Sequence, residues 1–224
     1  MIITILNGSP RNEGATAKIL KEIADYLTKK SDVNVKYFDL ANYSMKFCKG
    51  CLQCDYTGKC VISDDGIEDL RNEFLNSDGI VIGSPTYQSS IPGQLKAFFD
   101  RAHFAPFEKP FLGKYGFAVV TYSMSGAGLA INQIREVFIS NGAAMAGRLS
   151  IKLPHNAEPF TRAEDRRRLH EKAGQFYESI KYHKRRSFFE AAYFWIVLFV
   201  FKKFCEKNPL KYRRALEIMK QRRP

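Results

Sequence analysis

Several residue clusters in this 224-residue chain have types and spacings that could do chemistry. The first is Asn7-Gly8-Ser9-Pro10-Arg11-Asn12-Glu13-Gly14-Ala15-Thr16-Ala17. Its glycines give a tight backbone, Ser9 and Thr16 supply hydroxyls, and Arg11 supplies a cation. A helix begins at its end. A helix start offers unpaired N–H groups and a positive dipole end to an anion, so this loop suits a phosphate. The second cluster is Gly83-Ser84-Pro85-Thr86-Tyr87, with Gln88 directly after. Pro, Thr and Tyr suit the edge and face of a flat ring. A third loop, residues 121–128, could close over that ring with backbone N–H groups, with Ser123 and Gly126 as its candidate contacts. A plain helix start explains its Gly-x-Gly pair equally well.

A phosphate seat and a ring seat on one sheet edge point to a mononucleotide, and FMN fits best. The fourth cluster is Cys48, Cys51, Cys54 and Cys60, spaced C-x2-C-x2-C-x5-C. Gly50 and Gly58 allow the tight backbone that four converging thiolates need. A 4Fe–4S cluster takes four Cys ligands, and compact C-x2-C-x2-C runs can supply three. Zinc is a second option, though it usually takes two separated pairs. A loop of free thiols is the third, and disulfides are disfavoured in a reducing cytosol.

Strands and helices must alternate to bring these loops together. Residues 2–6, 33–38, 79–82, 115–121 and 146–153 read as strands. Ile19, Leu20, Ile23, Ala24 and Leu27 recur at helical spacing. Asp65 with Glu68 marks another helix start by capping and first-turn charge. Residues 91–104, 125–140 and 161–184 read as further helices. The alternation predicts a parallel sheet with helices on both faces. In such sheets, ligands bind outside the carboxyl ends of the strands, where the strand order reverses.

The paired motifs, together with Pro92-Gly93-Gln94-Leu95-Lys96-Ala97-Phe98-Phe99-Asp100-Arg101, resemble the flavodoxin-like NAD(P)H-dependent FMN reductases, including the iron–sulfur flavoproteins. The resemblance covers roughly residues 1–150. It implies a doubly wound five-stranded parallel sheet, non-covalent FMN and often an oligomer. By this resemblance Ser9, Arg11 and Thr16 hold the phosphate, and Pro85, Thr86 and Tyr87 line the isoalloxazine. The backbone of Asn12, Gly14, Ala15 and Ala17 completes the seat. Ala15 departs from the family, which often has Asn or another polar residue there. The cysteine spacing also looks like that of the iron–sulfur flavoproteins.

The function this implies is NAD(P)H oxidation through FMN, with electrons passed to a small acceptor, a quinone or a protein. The alternatives are a flavodoxin-like electron carrier without turnover of its own, and a membrane-docked adaptor with a vestigial flavin site. His103, His155, His170 and His183 sit in unrelated contexts and read as structural or solvated. No Ser-His-Asp or metal-hydrolase pattern is present.

The net charge of +12 is concentrated in the last quarter of the chain. Residues 161–224 hold 18 Lys and Arg against 7 Asp and Glu, whereas residues 1–160 are nearly balanced. This divides the chain into a flavin-binding domain, 1–160, and a basic helical extension, 161–224, joined by a linker at residues 154–160. No nucleic-acid motif accompanies the charge. Residues 191–201 are unbroken apolar or aromatic and are flanked by basic residues. That run is shorter than the ~20 residues a spanning helix needs. It reads as a helix, residues 187–205, buried on a second subunit with the basic tail beyond it exposed. Peripheral contact with anionic lipid is the alternative. Met1 opens directly into a strand without a signal-peptide pattern, so the expected location is cytoplasmic.

Overall fold

Five runs form strands, and the central three are near-continuous in apolar residues and buried on both faces, as parallel sheets require. In the computed structural model the five are β1 (Ile2–Asn7), β2 (Asn34–Asp39), β3 (Gly79–Pro85), β4 (Tyr115–Tyr122) and β5 (Ala144–Lys152). All pairings are parallel, in the order β2-β1-β3-β4-β5. This is the flavodoxin-like order, with its reversal between β1 and β3. The structure describes residues 1–154, 157–160 and 163–221. His155, part of the expected linker and the expected helix start at Thr161 lie outside these residues.

Side chains alternate across each strand, so one sheet supports two cores. On one face, Ile3, Ile5, Val81 and Phe117 pack against α1 (Ala15–Thr28) and α6 (Ala163–Lys181). On the other, Leu6, Ile80, Ile82 and Val120 meet α3 (Ile67–Leu75), α4 (Gly93–Ala102) and α5 (Ala127–Ser140). The helix α6 belongs to the charged 161–224 segment, yet it covers the sheet. Its Leu169, Ala173, Phe176 and Ile180 are buried. Gly79 makes the approach possible, since a Cβ there would lie 2.5 Å from Ile180 Cδ1 and 2.7 Å from Phe176 Cζ.

The start of α3 differs from the sequence expectation. Its N-cap is Gly66, with no side-chain cap. Asp65 is instead drawn inward by Arg101, which it meets at 2.8 and 3.0 Å. A buried cation takes precedence over a cap, because an unpaired buried guanidinium costs more than an uncapped helix.

The cysteine loop contains a short helix, α2 (Gln53–Thr57), that no periodicity announces. Near the end of the chain, α7 (Phe188–Glu206) starts at Ser187, whose Oγ accepts the Glu190 N–H at 3.2 Å. The expected free basic tail folds back as α8 (Arg213–Gln221), with Ala215 buried. Phe194, Leu198, Cys205 and Ala215 form a third cluster with Ala105 and Phe107. No helix among the described residues is long and apolar enough to cross a membrane.

Phe176 tests whether α6 is integral to the domain. Its ring is fully buried between Phe117 and the helix face. Phe176→Ala is expected to lower stability by about 3–5 kcal/mol, read from the midpoint of urea unfolding.

Candidate cofactor-binding site

The register of β1 on β3 places Asn7 beside Gly83. The Gly8 N–H continues the pairing to the Gly83 carbonyl at 2.8 Å. The first two loops therefore leave the sheet side by side. Asn7 is fully buried and braces the first loop. Its amide donates to Asp39 Oδ1 at 2.7 Å, and its oxygen accepts the Ser9 N–H at 3.1 Å. The Ser9 hydroxyl in turn accepts the Arg11 N–H at 3.1 Å.

At the carboxyl edge lies an open cleft of about 640 Å3. That is the size of an ordinary small-ligand site. Arg11, Gly14, Ala15, Pro85, Thr86, Tyr87 and Ser123 line it. The cleft thus collects residues from all three loops. Gly14 caps α1 without any side-chain hydrogen bond, and α1 has no acidic residue in its first turn. Arg11 is exposed, and its guanidinium folds back beside Gly14. An uncapped helix start with an adjacent cation is a seat for an anion.

Other sequence candidates stand behind the surface. Ser9, Thr16 and Ala17 are buried. The Thr16 and Thr121 hydroxyls share a hydrogen bond of 2.8 Å, tying the start of α1 to the end of β4. Asn12 donates to Asn42 Oδ1 at 2.7 Å. Thr121 and Tyr122, at the start of the expected third loop, also line the cleft, as do Leu153, Pro154, Ala157, Glu158 and Pro159, which the sequence did not single out. The signal of these last five was weak because they follow the last strand and carry no motif.

Tyr87 is presented on a tight turn, with reciprocal bonds to Ser90 at 2.9 and 3.0 Å. Gln88 and Ser89 fill the two central positions with φ of 49° and 61°. Such turns normally use Asn or Gly there, and left-handed backbone at other residues costs roughly 1–2 kcal/mol each. The cost is offset by Gln133, whose Oε1 accepts from Ser90 Oγ at 2.8 Å and the Ile91 N–H at 3.2 Å. Gly126 closes against the turn from the third loop. Its φ is 90°, and a Cβ there would lie 2.4 Å from Ser89 Cα. Gln88 and Gly126 thus shape the rim, and neither lines the cleft itself.

The four cysteines line one small enclosed pocket with Leu52, Ile62 and Arg101. Cys48 and Cys51 are exposed, and Cys54 and Cys60 half-buried. Burial and the neighbouring Asp55 carboxylate raise the Cys54 thiol above its ordinary value. Arg101 comes from α4 and is nearly fully buried. It donates to the Lys46 carbonyl at 2.6 Å and the Ile62 carbonyl at 2.9 Å, besides Asp65. These bonds clamp both ends of the cysteine loop to α4. Its guanidinium lies beside Cys60, and its Nε is buried without an acceptor of hydrogen-bond geometry.

Burial alone would push the Asp65 carboxyl up. The Arg101 and Lys46 hydrogen bonds outweigh it and hold Asp65 below its ordinary value. Of the four histidines, His103 lies beside the cysteine loop. Its ring, Cys54 Sγ and an Asp55 oxygen lie within 4.8 Å of one another. Burial lowers the affinity of His103 for a proton.

The sequence model of the NADPH-dependent FMN reductase family matches residues 1–158. An iron-sulfur flavoprotein of Clostridioides difficile (strain 630) is 41% identical over 165 residues, covering 72% of each chain. An iron-sulfur flavoprotein of Methanocaldococcus jannaschii is 29% identical over 144 residues, covering 63% of this chain and 74% of its own. Among solved structures, the apo form of an NADH:FMN oxidoreductase superposes with a TM-score of 0.59 at 20% identity, covering 80% of this chain and 89% of its own. An archaeal flavodoxin gives 0.54 at 18% identity, covering 81% and 99%. At these identities the two structures speak to the fold alone.

Two substitutions probe these sites. Gly126→Ala forces its Cβ into Ser89. We expect FMN affinity to fall several-fold and stability to fall by about 1–3 kcal/mol, read by flavin fluorescence and urea titration. Arg101→Ala leaves Asp65 buried without its cation and should cost about 3–5 kcal/mol at neutral pH. The pH response should also invert. Native Asp65 is depressed, so its contribution is full above the unfolded pKa of ~3.9 and lost as pH falls through the folded value. In Arg101→Ala, burial raises Asp65 above the unfolded value, so stability is recovered as pH falls from 7 towards 5. Parallel urea curves at the two pH values read the inversion.

Proposed function

We propose a specific role for this chain, which belongs to the NADPH-dependent FMN reductase family: an FMN-dependent oxidoreductase that takes hydride from NADH or NADPH and delivers electrons through an iron–sulfur centre. One observation carries the flavin assignment. The uncapped start of α1, the Arg11 cation and the Tyr87 turn converge on a single cleft. In this reading the N–H groups of α1 and Arg11 hold the FMN phosphate, while Pro85, Thr86 and Tyr87 flank the ring. Ser123 closes the cleft from the third loop. Ser9 and Thr16 act from behind, by fixing the backbone whose N–H groups face the ligand. Bound FMN supplies two-electron hydride chemistry and single-electron steps, and the protein holds and orients it. Among the described residues, no side chain in the cleft is assigned as a proton donor or base for the flavin.

The cysteine pocket fits a 4Fe–4S cluster on two grounds. All four cysteines line one small space, and the buried Arg101 Nε beside it meets no acceptor with hydrogen-bond geometry. Buried donors are rarely left unmet, and a sulfur in that space would accept this one. Cys48, Cys51, Cys54 and Cys60 would ligate the cluster, which passes single electrons when bound. Its iron would displace the Cys54 proton that burial now favours. The relatives named as iron-sulfur flavoproteins support this reading. We place the protein in the cytoplasm, where thiols stay reduced. The acceptor is a quinone, another small molecule or a protein.

Arg11→Ala should weaken FMN by about ten- to a hundred-fold, the scale of a hydrogen bond to a charged group, and leave riboflavin nearly unchanged. Equal losses for both ligands would remove the phosphate assignment. Anaerobic reconstitution should yield about four irons per chain, and Cys60→Ser should lower that number and the visible cluster absorbance. Steady-state NAD(P)H oxidation by the FMN-loaded protein separates the enzyme from a carrier, because a carrier turns over only with a dedicated reductase.

A further inference from the structure

The proposed redox chemistry leaves α7 unexplained. This helix is apolar on every side, a pattern that belongs to helices covered all round. Its own chain covers only half of it. Phe194, Leu198 and Cys205 are buried against Ala105, Phe107 and α8. The opposite side carries Phe189, Ile196, Phe199, Val200 and Phe204, each at least half exposed, with Phe189 at 81% and Phe199 at 61%. The helix is held in place from behind. Tyr193 donates to Glu136 of α5, and Arg186 donates to the Gly142 carbonyl at 3.2 Å. The exposed band is therefore a fixed face of the folded domain.

Charge decides what can cover it. Residues 184–211 include seven Lys and Arg against Glu190 and Glu206. Lys184 and Arg185 stand before the band, and Lys202, Lys203, Lys207 and Lys211 at its far end, all exposed. Glu206 meets Lys202 and Lys203, and Lys184 meets Glu178, in exposed pairs that neutralise little. Lys109 adds a further cation over the Trp195 ring at 4.8 Å. A second copy seated on this face would bring the same basic residues against themselves, because a two-fold contact pairs a patch with itself. An anionic surface meets every one of them with the opposite sign. The apolar stretch is too short to span a bilayer, and no described helix qualifies as a span. It suits burial in the plane of the interface, where aromatic side chains enter the acyl boundary and lysines reach the headgroups.

We propose that the outward face of α7 docks this protein on an anionic lipid surface, reversibly and in the plane of the membrane. The occupant is a bilayer leaflet rich in acidic headgroups. Phe189, Ile196, Phe199 and Val200 enter it, and the lysines at the far end of the helix fix the orientation. The experiment uses the full FMN-loaded chain. It is sedimented with vesicles of phosphatidylcholine alone and with vesicles of phosphatidylcholine and phosphatidylglycerol. Binding to the mixed vesicles only, with release by high salt, is the expected result. The double variant Lys202→Glu/Lys203→Glu should weaken partitioning by about thirty-fold or more, as expected for two interfacial lysines. Ile196→Ser/Phe199→Ser should abolish it. Both pairs are exposed, so flavin content and unfolding midpoint should match the parent and exclude misfolding as the cause. Equal binding to neutral vesicles, or none to either, overturns the proposal. So does a stable dimer in light scattering that ignores vesicles and is split by Ile196→Ser/Phe199→Ser.

Discussion

The parallel register of β1 on β3 is the constraint from which the site follows. It sets Asn7 opposite Gly83, and the Gly8 N–H reaches the Gly83 carbonyl beyond the last strand residues. Strand order reverses here, so the connections leave to opposite faces and open a crevice between them. The start of α1 comes to that crevice with its N–H groups unpaired, because Gly14 offers no side chain to cap them. A cap such as Ser or Asp at that position would satisfy the helix internally and remove the anion seat. The uncapped start is a local loss of helix stability that the site requires.

Much of this was legible from residue types. Near-continuous apolar runs marked the three central strands, buried on both faces, while the edge strands β2 and β5 mix polar residues in and were legible from their place in the alternation of strands and helices. The two main loops were legible as a pair in order at strand ends, since either alone also reads as an ordinary turn. The direction of individual side chains was not. Ser9 and Thr16 suit a phosphate by type, and in the structure their hydroxyls also bond to the Arg11 N–H and to Thr121. A hydroxyl can serve its own loop as readily as a ligand, and sequence does not separate the two. Asp65 shows the same limit. Its spacing from Glu68 reads as a cap, but Arg101 lies 36 positions away and outbids a local N–H.

Arg101 shows how the second site depends on the first fold. A cation nearly free of solvent contact is held by one carboxylate and two carbonyls taken from both ends of the cysteine loop. Burying it is costly, and the geometry returns that cost only because four acceptors converge. The helix that carries it, α4, follows directly from the Tyr87 turn. One short segment thus shapes the rim of the flavin cleft at its start and pins the cysteine loop at its end.

The carboxyl-terminal segment extends this logic outward. Arg214 of α8 pairs with Glu108, which also meets Arg71 of α3 at 3.4 Å. Arg214 lies so close to Gly58 that a Cβ there would fall 2.6 Å from Nη2. The φ of 79° at Gly58 already demands glycine, and the contact demands it a second time. Cys205, buried under the same helix pair with its thiol pushed up to about 11, packs as a small apolar group. The fifth cysteine therefore differs from the other four by environment and not by chemistry. Because α8 is wedged between α7 and the cysteine loop, the apolar face of α7 and the thiol pocket share one rigid support. Whatever covers that face lies against the same layer of the protein that holds the four thiols.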